Sequence, residues 1–468
     1  MDREAKLSVN SLPVEAAATV TCTPTASTAS GEPAPPGPAT NTEGQAGRLS
    51  RRKLLRYGLC AGACAAGAYG ALVYFRRRIG HTAALTGSQV FKGDAPNDRV
   101  WQLWQERGWV REARHYLKLG GNVACRLCPN QCLLEPGDRS HCRNKVNVDG
   151  TLYTLAYANP CAVQIDPIEK KPLYHFLPRT DTFSIGCSGC GFRCLNCQNW
   201  HMSQRKPEEL KDPRGAPIRL QPRRWDTLGH GDMVRASMFP EDVLALTRFH
   251  DCPSVSYTYS EPIAWYEYML DCAREVRRLG LKNVWVTCGY IEQEPLEELC
   301  KWIDAASINL KSFSDDVYRT LNTGRLQPVL DTLLTLKRLG VWFEIVNLIV
   351  PTYTDKPDMI RQMCDWIVEK LGPDCPLHFS RFIPHHKLLH LEQTPKSVLE
   401  QARDIACQAG LHYVYIGNCE DAQDGGTTYC PNCRQEVVTR RGFFVTSMSL
   451  NDGKCASCGT GIAGVWKA

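Results

Sequence analysis

The cysteines are the most constraining feature of this sequence, because most of them fall into closely spaced groups. The chain has 468 residues and 24 cysteines. Thiolates at CxxC-type spacing reach one metal site, whereas disulfide frameworks belong to small secreted domains. The spacing therefore predicts metal binding, and we expect the scattered cysteines to be buried as small apolar residues. The groups are Cys125, Cys128, Cys132 and Cys142; Cys187, Cys190, Cys194 and Cys197; Cys430 and Cys433; and Cys455 and Cys458.

The second group contains the motif CxxxCxxC, formed by Cys190, Cys194 and Cys197 with Phe192 inside it. Ferredoxins instead use CxxCxxC with a remote fourth cysteine. Three close thiolates leave one iron of a [4Fe–4S] cluster open to chelate the amino and carboxylate groups of S-adenosylmethionine (SAM). The motif therefore predicts the cluster of a radical SAM enzyme. The alternatives are a zinc knuckle and a four-cysteine electron-transfer cluster.

Cys187 bears on the choice between these readings. As a fourth ligand it would close the open iron and leave SAM no place to bind. Alternatively, it ends the strand predicted at residues 182–186 and lies off the cluster.

Strand-like apolar runs alternate with amphipathic stretches beyond the central cysteines. Alternating β and α elements imply a parallel sheet or barrel with its chemistry at the carboxyl ends of the strands. We predict an α/β fold, a partial (βα)6 TIM-like barrel. The predicted strands are 182–186, 254–258, 283–287, 306–310, 343–350, 377–382 and 412–416, and residues 263–279 and 295–302 are predicted helices.

The composition changes along the chain and predicts five regions. Residues 1–49 are rich in Ala, Thr, Pro, Gly and Ser and are predicted to be disordered. Residues 50–80 form a signal or anchor, and residues 95–180 a cysteine-rich region. Residues 181–420 form the core, with an inserted loop at 205–238. Residues 421–468 form a small metal module.

The segment at residues 50–80 resembles a twin-arginine export signal. Arg51 and Arg52 precede an apolar run of 19 residues at 57–75, just long enough to span a bilayer. No clear cleavage site follows, so either an uncleaved anchor or a removed peptide fits, with the side of the membrane left open. A cytoplasmic location is the alternative, because SAM and low-potential reductants are cytoplasmic.

The formal charge of +6 does not predict nucleic-acid binding. Seven basic residues are concentrated at and around the apolar run, within residues 51–78. The rest of the chain is near neutral, so no basic patch for nucleic acid is expected.

From Cys125 to Trp466 the chain resembles the radical SAM component of the AmmeMemoRadiSam system, which is related to pyruvate formate-lyase activating enzymes. The resemblance implies the radical SAM barrel, a [4Fe–4S] cluster and SAM. Partner proteins of that system are implied as well. The matching segments are CRLCPNQC at 125–132, DPIEKKPLYHFLP at 166–178, CLNCQNW at 194–200, YTYSEP at 257–262, YVYIGN at 413–418 and CPNC at 430–433.

The same resemblance implies a SAM pocket. Glu261 stands where activating enzymes have the Gly-Gly-Glu motif that orients the SAM amino group, and Ser260 adds a hydroxyl. Lys311 could pair with the SAM carboxylate, and Asn309 stands where the family has Asp. His378 matches a SAM-proximal histidine. The structural alternatives are a helix N-terminal acid for Glu261 and a buried strand residue for His378.

Two further positions concern the surroundings of that pocket. Cys288 stands where the family usually shows Asn, which leaves any polar role there in doubt. The charged segment 166–178 is implied to lie near the active site, without an assigned role.

The flanking cysteine groups predict two further metal sites. Spacing alone leaves zinc and an accessory cluster open for Cys125, Cys128, Cys132 and Cys142. A zinc ribbon or rubredoxin-like knuckle that holds zinc or iron is predicted for the set Cys430, Cys433, Cys455 and Cys458. A structural zinc ion would help this small module to fold.

We therefore expect an enzyme that cleaves SAM to a 5′-deoxyadenosyl radical, which abstracts hydrogen from an unknown protein or small-molecule substrate. A low-potential electron donor and the membrane are the other expected partners. One alternative is an activase that places a glycyl radical on a partner enzyme. Another is a membrane-tethered iron–sulfur protein that transfers electrons without turnover.

Overall fold

A small β-rich region comes before the barrel. The structure, a computed structural model, describes residues 89–211, 237–422 and 424–467. The elements of this first region are α1 (Asp98–Glu106), β1 (Arg111–Glu112), β2 (Tyr116–Leu119), β3 (Asn122–Cys125), β4 (Leu133–Leu134), β5 (Lys145–Val148) and β6 (Thr151–Thr154). Strands β1, β6 and β5 form one antiparallel sheet, and β2, β3 and β4 form another.

The strands of the central region form one eight-stranded sheet in sequence order. They are β7 (Ala162–Pro167), β8 (Asp181–Gly186), β9 (Ser254–Tyr257), β10 (Lys282–Thr287), β11 (Ala305–Asn309), β12 (Trp342–Ile349), β13 (Leu377–Arg381) and β14 (Val414–Gly417). All neighbouring pairs from β8 to β14 are parallel, and β7 pairs antiparallel with β8. The predicted partial barrel is confirmed, and the antiparallel strand β7 at its edge is an addition that the sequence did not predict.

The helices of this region connect successive parallel strands. They are α2 (Trp200–Ser203), α3 (Pro207–Leu210), α4 (Pro240–Phe249), α5 (Tyr266–Arg278), α6 (Gln293–Cys300), α7 (Asp315–Val317), α8 (Gln327–Leu339), α9 (Pro357–Lys370) and α10 (Lys396–Gln408). In α5 the buried residues Met269, Leu270, Ala273 and Val276 recur at helical spacing, so one stripe packs on the sheet. Short 3-10 turns lie at Ile168–Lys170 and Pro262–Trp265, and a π turn at Tyr318–Asn322.

The segment after β7 lies at the opposite end of the barrel from the cysteine motif. Ile168, Leu173 and Phe176 pack with Val284 and Ala305, which lie near the starts of their strands. Leu173 and Phe176 are thus placed away from the motif, whereas Asp166 accepts a hydrogen bond from the Tyr259 hydroxyl at 2.6 Å, next to Ser260 and Glu261. Because buried apolar side chains fill that end, the segment acts as a plug.

The C-terminal module packs against the same plug. Val465 donates its backbone N–H to the His175 carbonyl at 2.7 Å, and the Leu177 N–H donates to the Val465 carbonyl at 2.7 Å. The Arg440 guanidinium donates to the Tyr174 carbonyl and lies over the Tyr174 ring. The strands are β15 (Thr428–Tyr429), β16 (Glu436–Arg441), β17 (Phe444–Met448), β18 (Leu450–Asn451) and β19 (Lys454–Cys455).

Two predicted regions, 1–49 and 50–80, lie outside the described residues, as does most of the predicted loop at 205–238. In the part of the chain that the structure describes, no helix has the length and apolarity needed to cross a membrane.

Candidate active site

Cys190, Cys194 and Cys197 lie together in the loop that follows β8, at the carboxyl edge of the barrel. The three thiols are close enough to interact electrostatically. The loop is held by backbone bonds: the Arg193 N–H donates to the Asn322 carbonyl at 3.1 Å, and the Leu195 N–H donates to the Leu321 carbonyl at 2.9 Å. The motif is therefore fixed against the π turn that follows β11.

Each of these thiols has its own hydrogen-bond partner. The Cys190 Sγ accepts from the Phe192 backbone N–H at 3.3 Å, and the Cys194 Sγ accepts from the Asn322 Nδ2 at 3.2 Å. The Cys197 Sγ and Ser203 Oγ are 3.2 Å apart. Hydrogen bonds to sulfur tune the potential of an iron–sulfur cluster and orient its ligands.

Phe192 holds the middle of the motif in place. Its ring centroid is 4.7 Å from that of Tyr290 and 6.2 Å from that of Tyr318. Gly324 lies directly beneath: a Cβ built there would be 2.4 Å from the Phe192 ring. The close approach of backbone to ring therefore requires glycine at residue 324.

Cys187 is buried away from the motif. Burial raises the pKa of its thiol, and the charged and polar groups that act on it are Cys161, Lys211 and Cys272. Its surroundings are thus a second, separate group of cysteines in the core. This placement favours the reading in which Cys187 does not close the open iron.

Glu261 is buried beside the motif. Its carboxylate accepts from the Thr287 hydroxyl at 2.6 Å, the Cys288 N–H at 2.8 Å and the Ile263 N–H at 3.3 Å. Burial raises the pKa of Glu261. Because an ionised carboxylate offers about four lone-pair sites, roughly one remains for a ligand ammonium.

Asn309, Lys311 and Ser260 lie along the same edge. The Asn309 Nδ2 donates to the Thr287 carbonyl at 3.3 Å, and the Ser260 Oγ accepts from the Trp265 indole N–H at 3.2 Å. Burial alone would lower the pKa of Lys311, but the neighbouring Cys288 and Cys194 thiols raise it overall. Lys311 is therefore a cation beside the cysteine motif.

His378 belongs to a different set of contacts. Its Nε2 lies 2.7 Å from the Glu344 carboxylate, which also accepts the backbone N–H groups of Tyr174 and His175. The ring packs against Tyr174 and Tyr415. This buried network joins the plug to the sheet. It places His378 among Glu344, Tyr174 and Tyr415 and not in the cavity that Glu261 lines, which disagrees with the prediction that His378 contacts SAM.

The C-terminal cysteines form a compact group. The Sγ atoms of Cys430 and Cys458 are 3.5 Å apart, and those of Cys433 and Cys455 are 3.7 Å apart. A tetrahedral ion with metal–sulfur bonds of about 2.3 Å places its sulfurs about 3.8 Å apart. The four thiols therefore fit one metal ion.

The N-terminal cysteines share a cavity with the site. Cys125, Cys128, Cys132 and Cys142 line it together with Glu261 and Cys288. Gly191 and Phe192 of the motif also line this cavity. Hence the cysteine-rich region adjoins the motif at the barrel edge.

The residues around the motif fit the cluster that the sequence predicts. Three thiols converge, each has a hydrogen-bond partner, and the fourth cysteine of the group lies elsewhere. Sequence reasoning missed Asn322, Ser203 and Thr287, because they are remote in the chain or carry no spacing signal. Of the scattered cysteines, Cys272 and Cys364 are buried as predicted, whereas Cys288 lies in the site.

The fold and this site define a partial α/β barrel with a three-cysteine metal motif at its carboxyl edge. The family model described as the radical SAM superfamily matches residues 184–367. The chain belongs to the radical SAM superfamily and is a radical SAM enzyme. Members of this superfamily use a [4Fe–4S] cluster and SAM.

The chain is also similar to individual proteins. An uncharacterised protein of Methanocaldococcus jannaschii is 40% identical over 353 residues, 75% of this chain and 98% of that protein. The pyruvate formate-lyase-activating enzyme of Clostridium pasteurianum is 24% identical over 208 residues, 43% of this chain and 73% of that enzyme. Among solved structures, Streptococcus suis SuiB bound to S-adenosylmethionine matches with a TM-score of 0.37 and 13% identity, over 54% of this chain and 53% of that one.

Proposed function

We propose that Cys190, Cys194 and Cys197 bind the [4Fe–4S] cluster and leave one iron open for SAM, and that the enzyme abstracts hydrogen from a substrate outside its own chain. The observation that supports this most is the separation of the four cysteines into a hydrogen-bonded triad and a buried Cys187 beside Cys161 and Cys272. When bound, the cluster supplies the electron that cleaves SAM.

The side chains around the triad have separate tasks in this proposal. Glu261 accepts a hydrogen bond from the SAM ammonium, and Lys311 pairs with the SAM carboxylate. Asn309 and Ser260 provide neutral polar groups at the same edge. Phe192 and Tyr290 cover the motif from one side and limit the access of water.

Replacing cysteines one at a time tests the ligand set. We expect Cys194→Ala to lose the iron of this cluster and the change that SAM causes in its electron paramagnetic resonance (EPR) spectrum. Cys187→Ala is the matched control, and it should keep both. A Cys187→Ala protein without the SAM-dependent signal would show that the triad is not the complete ligand set.

The activase alternative keeps support from the relative in Clostridium pasteurianum. An activase abstracts hydrogen from the Cα of a glycine residue in a partner enzyme. Incubating the reduced, SAM-loaded enzyme with a glycyl radical enzyme would produce a glycyl EPR doublet. No doublet, together with 5′-deoxyadenosine formed on another substrate, would exclude this alternative.

We also propose that Cys430, Cys433, Cys455 and Cys458 bind zinc. The Sγ separations support a single tetrahedral ion, and a redox-inactive ion suits a module whose contacts are with the plug rather than the site. Metal analysis of a Cys455→Ala protein tests this, because it should lose about one zinc ion per chain. Iron in place of zinc would refute it.

The cellular location of the enzyme and its partner proteins are also proposals. The twin-arginine-like sequence at residues 50–80 supports export or anchoring at the membrane, with the cytoplasm as the alternative. The resemblance to the AmmeMemoRadiSam component supports partner proteins of that system, besides a low-potential electron donor. Protease treatment of intact cells tests the location: a chain that is cut only after lysis is not exposed outside.

A further inference from the structure

The cysteine-rich region places four thiols on one cavity beside the cysteine motif. We propose that Cys125, Cys128, Cys132 and Cys142 bind a second [4Fe–4S] cluster next to the first. This site lies outside the barrel and uses none of the ligands of the first cluster. This proposal can therefore be tested independently of the ligand set proposed above.

The local fold directs these thiols toward one another. Cys125 ends β3, and its backbone N–H donates to the Cys132 carbonyl at 2.9 Å just before β4. Between them the Gln131 N–H donates to the Cys128 carbonyl at 3.0 Å, which closes a turn. Cys142 comes from the loop before β5. All four thiols line the same cavity, and Cys128 interacts electrostatically with the other three.

The spacing of the thiols separates a cluster from a single ion. In the part of the chain that the structure describes, the C-terminal quartet is the one group of three or more candidate ligands whose ligand atoms all lie within 4.8 Å of one another. In the N-terminal quartet and in the Cys190 triad, not all the sulfurs lie within that distance of one another. A cubane holds its thiolates farther apart than a zinc ion, whose sulfurs lie about 3.8 Å apart. The quartet thus differs from the zinc-type group in the same way as the triad does.

Donors and cations surround these sulfurs. The Cys132 Sγ accepts from the His141 N–H at 3.5 Å, and Ser140 Oγ lies 3.1 Å from the Cys142 Sγ. The buried Lys145 lies near Cys125 and Cys142 and is paired with Glu267 at 2.7 Å. Four thiolates give a [4Fe–4S]2+ core a net charge of about −2, which buried cations and hydrogen bonds offset.

Two arginines connect this quartet to the motif. Arg143 interacts with both Cys142 and Cys190, and Arg193 interacts with Cys132 and Cys190. Each cation thus lies within electrostatic reach of thiols from both sets. The two proposed clusters would share these positive charges.

The loops that carry the N-terminal quartet also contact the loop that carries the Cys190 motif. The Asn130 Nδ2 donates to the Gly191 carbonyl at 2.7 Å, and the Asn144 Nδ2 donates to the Ser188 carbonyl at 2.6 Å. A Cβ at Gly189 would be 2.5 Å from the Cys142 carbonyl oxygen, and the φ of Gly189 is +86°. Only glycine allows this approach. Four protein ligands leave no open iron, so one-electron transfer is the chemistry available to the second cluster.

Iron, sulfide and zinc analysis of the full-length chain, reconstituted anaerobically with iron and sulfide, tests the proposal. We expect about eight irons and eight sulfides per chain, four for each [4Fe–4S] cluster. Cys132→Ala should halve the iron and leave zinc unchanged, and Cys194→Ala should also halve it. SAM should alter the EPR signal of the reduced Cys132→Ala protein and leave that of Cys194→Ala unaltered.

A wild-type chain with about four irons, and a second zinc ion that Cys132→Ala removes, would overturn the proposal. Because Cys132 is buried, Cys142→Ser provides a milder second variant that should lose the same irons. In another outcome, Cys194→Ala keeps all its iron while the quartet variants lose half. That result would refute the triad as the ligand set of the first cluster and would support the second cluster.

Discussion

The Nδ2 of Asn322 donates a hydrogen bond to the Sγ of Cys194 at 3.2 Å, although the two residues are 128 positions apart. Asn322 is fully buried at the end of the π turn after β11. A donor to a ligand sulfur stabilises the reduced, more negative state of a cluster. With Cys194 as a ligand, as proposed above, this side chain would set part of the driving force for SAM cleavage.

Replacing Asn322 with Ala should make the midpoint potential of the radical SAM cluster more negative. One lost hydrogen bond of about 0.5–1.5 kcal/mol corresponds to a shift of about 20–60 mV for one electron. An EPR-monitored redox titration measures it. Asn347→Ala is the matched control, because Asn347 is also buried but donates to the Leu310 carbonyl. Equal potentials for both variants would contradict the role of Asn322.

Gly324→Ala should disturb the motif without touching a ligand. The new Cβ would lie 2.4 Å from the Phe192 ring, so Phe192 or the loop must move. We expect a loss of about 1–3 kcal/mol in the free energy of unfolding, with weaker cluster retention. Gly121→Ala is the control, because its Cβ would meet only Pro136, at 3.6 Å. Equal thermal stability of the two variants would contradict the packing argument.

Glu261→Gln should weaken SAM binding while the fold persists. Glutamine can still accept from Thr287 and Cys288 but lacks the charge that attracts an ammonium. A lost charged hydrogen bond of about 1.5–3 kcal/mol predicts roughly a tenfold to hundredfold rise in the Kd for SAM. Equilibrium binding to the reconstituted enzyme measures it. Glu298→Gln is the control, because Glu298 does not line the cavity and accepts a hydrogen bond from Arg114; this variant should bind SAM normally. An unchanged Kd for Glu261→Gln would remove Glu261 from the pocket.

Protonation of the buried His175 should lower the free energy of unfolding at acid pH. Burial lowers its pKa to about 4, and its Nδ1 lies 2.6 Å from the Ala463 carbonyl. The unfolded chain, with a histidine pKa of about 6.5, binds the proton more tightly. The free energy of unfolding should therefore fall as the pH drops from about 6.5 to about 4, by up to about 3 kcal/mol.

Urea unfolding of wild type and His175→Gln across this pH range tests the assignment. Glutamine does not titrate, so the variant should lose this part of the pH dependence. Acid release of metal contributes equally to both proteins and cancels in the comparison. Identical slopes would show that His175 is not the responsible group.

The sequence predicted the parts of this molecule that spacing and periodicity encode. The seven predicted strands match β8 to β14, and the CxxxCxxC spacing of Cys190, Cys194 and Cys197 identified the motif. Parallel strands bring their carboxyl ends to one edge, which explains why Glu261 and Lys311 could be placed beside it.

Contacts between remote segments could not be predicted in this way. No local pattern joins Asn322 to Cys194, or Cys142 to the loop at Gly189. His378 was wrongly assigned, because a strand histidine has the same local sequence whether it faces a ligand or a buried carboxylate such as Glu344. For Cys187, its tertiary neighbours rather than its spacing show that it lies apart from the triad.

The central claim is that the chain cleaves SAM reductively at the Cys190, Cys194 and Cys197 cluster. The direct measurement is the anaerobic assay of 5′-deoxyadenosine and methionine after the reconstituted enzyme is mixed with dithionite and SAM. We predict equal amounts of both products from wild type and from Cys187→Ala, and neither from Cys194→Ala. A wild-type protein with its full iron content that forms no 5′-deoxyadenosine would contradict the account.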